Sequence, residues 1–192
     1  MRVPNLSRFA GWAAFASAIA TVLGLLTLLV FYAAGQPWGT INDITSVLLA
    51  LFLLPVLLLL HRLSRREAPV LSLATLVVGV LAMLVAASLQ TLLVFRVITY
   101  AQTALAVPAA FGIFGAALLV YGWLTRAKGM LSGKLAWLAM IAGAGYVLVV
   151  VGIALGGQES PLAAIGGLTA VICYPIWAIL FGRTLLSGKL AR

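Results

Sequence analysis

Hydrophobic residues along this chain gather into six long blocks, at about residues 9–32, 44–60, 69–94, 103–124, 135–155 and 161–182. Short stretches rich in Gly, Pro, Arg and Lys separate them. The hydrocarbon core of a bilayer takes about 20 residues of α-helix, with roughly 17 the lower limit, so each block suffices for one crossing. The pattern predicts an all-α fold: a polytopic membrane protein, a six-transmembrane-helix bundle forming a single domain over residues 1–192.

The block boundaries carry their own signals. Phe9 to Tyr32 follows Arg2 and Arg8, which resembles the basic start and greasy middle of a signal peptide. A signal h-region is about 7–15 residues, however, and this run spans a bilayer, so it is expected to be the first membrane helix despite the Ala33-Ala34-Gly35 that follows. Gly35 to Asp43 is the most polar and turn-rich interruption, and its Thr40-x-x-Asp43 spacing is close to a capping box for the second helix. Pro69 suits the first turn of the third helix, and Ser160-Pro161 reads as N-cap and first residue of the sixth. The turn between the third and fourth helices is placed near Arg96 to Gln102. Small residues recur at helical spacing in Ala10, Ala14 and Ala18, in Gly112 and Ala116, and in Gly152 and Gly156, where another helix can approach closely, and Gly143 and Gly145 lie inside the fifth helix.

Composition sharpens the class. With 65% hydrophobic and 8% charged residues and a mean hydropathy of +1.23, the chain lies outside the range of soluble domains. Its 192 residues leave no room for a separate soluble domain. The net charge of +9 does not imply nucleic acid, because Lys and Arg fall between the apolar runs and form no stripe with interleaved aromatics. They report topology instead. Of twelve Lys and Arg residues, all but Arg96 lie in the amino terminus, the second and fourth connections, or the tail. The positive-inside rule then puts both termini in the cytoplasm. Trp12, Trp123 and Trp137 are expected at the inner boundary, and Tyr32, Trp38 and Tyr100 at the outer one.

Leu131-Ser132-Gly133-Lys134-Leu135-Ala136 recurs as Leu186-Ser187-Gly188-Lys189-Leu190-Ala191, a sign either of duplicated helical hairpins or of convergent interfacial composition. The Gly182-Arg183-x-Leu185-Leu186-x-Gly188-Lys189-Leu190 ending and the Leu131-Ser132-Gly133-Lys134-Leu135-x-Trp137-Leu138 segment resemble six-helix bacterial integral membrane proteins of unknown function. Those proteins often carry proline just before the aromatic, where this chain has Ala136. The resemblance covers about a third of the sequence, implies a bacterial inner membrane, and transfers no activity or site.

Candidate chemistry is sparse. Asp43, Glu67 and Glu159 are the only acids, and none falls at the centre of a block, which argues against an internal carboxylate relay or an intramembrane aspartyl protease. His61 has no acidic or sulfur cluster in its local sequence, and Cys173 stands alone, so neither metal nor cofactor is expected. No phosphate-binding glycine loop, nucleophile elbow or zinc-helix motif occurs. The polar groups that remain belong to the outer connections: Trp38, Asn42, Asp43, Arg96, Tyr100, Gln102, Gln158 and Glu159. If they converge, Asp43 and Arg96 would pair and orient a polar ligand. Otherwise Thr40, Asn42 and Asp43 cap a helix while Arg96 snorkels. The leading functional expectation is a non-enzymatic structural or regulatory component, with the bilayer and a membrane-protein partner or a second copy as its surroundings. The alternatives are a small permease or channel for a neutral or weakly polar solute, its helices bent at Pro55, Pro108 and Pro175, and an interfacial lipid-modifying enzyme.

Overall fold

A computed structural model describes residues 3–127 and 129–188. Arg2, Lys128, Lys189 and Arg192, which enter the charge count, lie outside the described residues, as does the end of the second Leu-Ser-Gly-Lys-Leu-Ala copy. Seven helices follow in order: α1 (Val3–Ala34), α2 (Trp38–Ser64), α3 (Pro69–Val94), α4 (Tyr100–Thr103), α5 (Ala106–Ala127), α6 (Gly133–Gly156) and α7 (Pro161–Leu186). With α4 and α5 taken as one crossing, six segments are long and apolar enough to span a membrane. No strand occurs among the described residues.

Each long helix packs against its neighbour in sequence, and α7 packs back on α1 to close a ring. Helix α2 also touches α5 across α3. Closure occurs where the start of α1 meets the end of α7: Gly182 lies against the Gly11 carbonyl and the Phe15 ring, and Gly11 lies against Leu185 and Leu186. Ala10, Ala14 and Ala18 are all buried in this ring. Arg8, Arg62, Arg65, Arg66, Arg126, Lys134 and Arg183 therefore share one end of the bundle, hereafter the basic end, while Arg96 lies at the other.

Two helix starts differ from the expectation. Helix α2 begins at Trp38, so the connection is only Gly35 to Pro37, and Thr40 to Asp43 lie inside the helix instead of capping it. Gly35 ends α1 with a left-handed φ of 71°, and the Gln36 side-chain carbonyl accepts from the Thr40 amide at 3.2 Å and the Thr40 hydroxyl at 3.1 Å. One glutamine thus satisfies a first-turn amide, and the polar run has no reason to stay extended. The capping box forms instead at Thr99 and Gln102, which open the four-residue α4, and Pro108 falls in the first turn of α5. Pro55 and Pro175 do lie inside α2 and α7. Pro69 and Pro161 occupy the first turns of α3 and α7 as predicted.

Helices α5, α6 and α7 come closest. A Cβ on Gly166 would lie 2.6 Å from the Val149 amide nitrogen and 2.7 Å from the Gly145 carbonyl, and one on Gly145 would lie 2.6 Å from the Ala170 nitrogen. Gly115 and Gly143 make the same backbone-to-backbone contact between α5 and α6. On α5 the small face is Gly112, Gly115 and Gly122, whereas Ala116 is exposed. Gly152 meets the Ala163 backbone of α7, whereas Gly156, the last residue of α6, lies only against Ser160, so the two do not make one helix-packing pair. Gly166→Ala and Gly167→Ala should therefore diverge although adjacent. The first drives a methyl into fixed backbone and should cost about 1–3 kcal/mol. The second meets only Val149 Cγ2 at 4.0 Å and should be neutral or stabilising, since alanine favours a helix over glycine by about 1 kcal/mol. Thermal unfolding of the purified variants checks both signs.

Candidate functional site

The interior of the ring is filled by aromatic rings. Phe114 of α5, Tyr146 of α6 and Tyr174 of α7 meet edge to face at centroid separations of 5.7–5.9 Å. Phe111 stacks beside Tyr146, Tyr174 leads to Trp177, and Trp177 stacks on Phe181 at 4.9 Å. Phe114, Tyr174, Trp177 and Phe181 are each 0% exposed. Four of the five tryptophans are exposed on the outside, at Trp12, Trp38, Trp123 and Trp137, where interfacial rings sit. The fifth, Trp177, is part of the plug.

Hydroxyls line one side of that plug. Ser17 donates to the Ala14 carbonyl at 2.8 Å and lies 2.6 Å from the Tyr174 hydroxyl. Serine has one proton, so with the Ala14 bond made, Tyr174 is the donor to Ser17. Thr21, one turn along α1, donates to the Ser17 carbonyl at 2.9 Å, and the Tyr146 hydroxyl addresses Thr21. No periodicity in the sequence joins Ser17 to Tyr174, which are 157 residues apart; only ring closure brings them together.

A second polar cluster ties α2, α3 and α5 at the basic end. His61 Nδ1 lies 2.9 Å from Ser72 Oγ, the Ser72 hydroxyl is 3.3 Å from the His61 carbonyl, and Tyr121 donates to the Ser72 carbonyl at 2.8 Å. A serine beside a histidine is the pairing of a nucleophile with its base. Ser72 is 0% exposed, however, so the trio acts as a staple between helix ends. Among the described residues no group of three His, Cys, Asp or Glu could hold a metal ion. Cys173 is half-buried on α7.

The outer residues are brought together only in part. Tyr100 and Gln158 join α4 to the α6–α7 turn, the phenol donating to Oε1 at 3.0 Å and receiving from Nε2 at 2.8 Å. Gln102 turns back to accept from the Thr99 amide at 2.8 Å, and Glu159 is exposed beside Gln158. Trp38 opens α2, and Asn42 and Asp43 lie half-buried on its next turn. Arg96 is exposed in the α3–α4 turn at a left-handed φ of 58°. No bond joins Asp43 to Arg96 among the described residues, and a pocket lined by Lys134 and Arg183 lies at the opposite, basic end. No family model matches the chain, and no curated protein or solved structure matches it at a significant level.

The hydroxyl seam makes an asymmetric prediction. Tyr174→Phe leaves Ser17 bonded to Ala14 and should cost about 0.5–1.5 kcal/mol. Ser17→Ala strands a buried phenol and should cost more, about 1–3 kcal/mol. Unfolding midpoints of the two variants test the order, and a larger loss in Tyr174→Phe would contradict the donor assignment.

Proposed function

We propose that this is a bacterial inner-membrane protein with both termini in the cytoplasm, working as a non-enzymatic structural or regulatory component through lateral association with a membrane-protein partner or a second copy. The aromatic plug carries this reading. A transporter of polar solutes needs a binding site near mid-membrane lined by groups that replace water. Here the corresponding volume holds Phe114, Tyr146, Tyr174, Trp177 and Phe181 in mutual contact. The hydroxyls of Ser17, Thr21 and Tyr174 beside it spend their bonds on one another or on helix carbonyls. A bundle without an internal path acts through its surface. In this reading the outer groups are helix-end fittings, as Tyr100 with Gln158 and Thr99 with Gln102 illustrate. The charge asymmetry supports the orientation, since Arg96 is the only Lys or Arg outside the amino terminus, the two basic connections and the tail.

One observation favours a small permease as the second reading. Ser64 Oγ, Gln90 Oε1 and Trp177 Nε1 are buried without a hydrogen-bond partner, and such atoms are places where water or a polar solute binds. Proteoliposomes distinguish the two. Under the first reading, shrinkage and reswelling in glycerol or urea match those of protein-free vesicles. Accelerated reswelling that Trp177→Phe or Gln90→Leu abolishes would establish the second. A carboxy-terminal reporter that matures only in the cytoplasm checks the orientation, and activity only outside it would reverse the assignment.

A further inference from the structure

The α6–α7 hairpin has a pocket at its basic end, between the first turn of α6 and the last two turns of α7. Its volume is about 390 Å³, and it is lined by Ser132, Lys134, Leu135, Leu180, Arg183, Thr184 and Ser187. From this we propose that it binds the phosphate of a lipid headgroup.

The charge comes from side chains on two different helices. Lys134 and Arg183 converge on the pocket, both are exposed, and neither has a carboxylate partner among the described residues. Of the three acids, Asp43 and Glu159 belong to the opposite end and Glu67 to the α2–α3 turn, and none lines the pocket. Two unneutralised cations facing one concavity attract a doubly charged oxyanion, and Arg and Lys donate charge-assisted hydrogen bonds to phosphate oxygens. The hydroxyls of Ser132, Thr184 and Ser187 line the same space. Ser187 and Thr184 donate to carbonyls of their own helix, so Arg183 is the α7 side chain with donors left for a phosphate.

The shape of the pocket selects a lipid over a soluble phosphate. Its volume is in the range of ligand sites, about 300–1,000 Å³, and larger than a bare phosphate fills. Leu180 forms its membrane side, and Ile176, Ile172 and Leu168 continue from Leu180 along the same exposed face of α7 at 47%, 56% and 63% exposure. A headgroup held by Lys134 and Arg183 lays its acyl chain along that stripe. Basic pockets between membrane helices at the headgroup level take anionic lipids in this way.

The pocket also accounts for the repeated segment. The first copy starts α6, where the Ser132 hydroxyl accepts from the Leu135 amide at 3.4 Å, and the second copy ends α7, where the Ser187 amide bonds to the Arg183 carbonyl at 3.0 Å. The same residues thus begin one helix and finish its antiparallel neighbour, and a serine from each copy faces one pocket.

The test uses the purified full chain, titrated with phosphatidic acid or with inorganic phosphate and read by native mass spectrometry. Site binding predicts one saturating lipid adduct, weakened about tenfold in the Lys134→Gln, Arg183→Gln double variant. Thr184→Phe, which fills the pocket and keeps the charge, should weaken it similarly. Arg65→Gln with Arg66→Gln removes equal charge elsewhere at the same end and should leave the adduct intact. Equal weakening by both double variants, or by neither, would overturn the site. Saturable inorganic phosphate with no preference for the lipid would overturn the lipid assignment and move the source to solution. The readout is independent of whether solutes cross the bundle.

Discussion

Apolar helices within hydrocarbon gain nothing by hiding from water, so a bundle of them holds together only where backbones and side chains approach closely enough for dispersion and hydrogen bonds to outweigh contact with lipid. This constraint accounts for the distribution of small residues. Gly145 and Gly166 bring α6 and α7 to backbone contact, Gly115 and Gly143 do the same for α5 and α6, and Gly11 and Gly182 join α1 to α7. The last contact matters most for the architecture, because it converts a row of consecutive hairpins into a ring. Phe114, Tyr174, Trp177 and Phe181 fill the ring together with aliphatic residues such as Leu53, Val56, Leu57 and Leu118, while other Leu, Ile and Val residues cover its outside.

Closure also decides what the few polar groups can do. A hydroxyl inside hydrocarbon must find a partner within the protein. Ser17 and Tyr174 find one another across the α1–α7 seam, and Ser72 meets His61 with its hydroxyl and accepts from Tyr121 at its carbonyl where α2, α3 and α5 meet. These bonds specify which helix faces which, a task that apolar packing alone performs poorly. The described charged residues remain near the helix ends, where Lys134 and Arg183 face a shared concavity. The hydroxyl pairs of the interior thus help hold the bundle together.

Much of the helix layout was legible in the sequence because membrane crossing imposes a length and a polarity that residue order displays directly. All six blocks became helices, with the prolines at 69 and 161 where first-turn chemistry puts them. The errors came where local spacing stood in for three-dimensional context. Thr40-x-x-Asp43 looked like a cap, but Gln36 reached back first and carried the helix start to Trp38. Gly112 and Ala116 looked like a packing pair, yet the contact face follows Gly112, Gly115 and Gly122. Of the outer candidate residues, Tyr100 meets Gln158, a contact that depends on how α4 sits against the α6–α7 turn and that no spacing reveals. The Ser72 staple and the pocket between α6 and α7 were equally invisible, since each joins residues whose proximity follows from helix packing.

The central claim is that the ring is closed and solid. It is tested most directly by the aqueous reactivity of single cysteines in proteoliposomes, after Cys173→Ala removes the native thiol. Cysteines introduced at Ser17, Ala142 and Ala178, all buried inside the ring, should resist a water-soluble maleimide until the protein is denatured, while one at Gln158 should react at once. Rapid labelling of the buried set in the folded protein would show a hydrated interior and contradict the account.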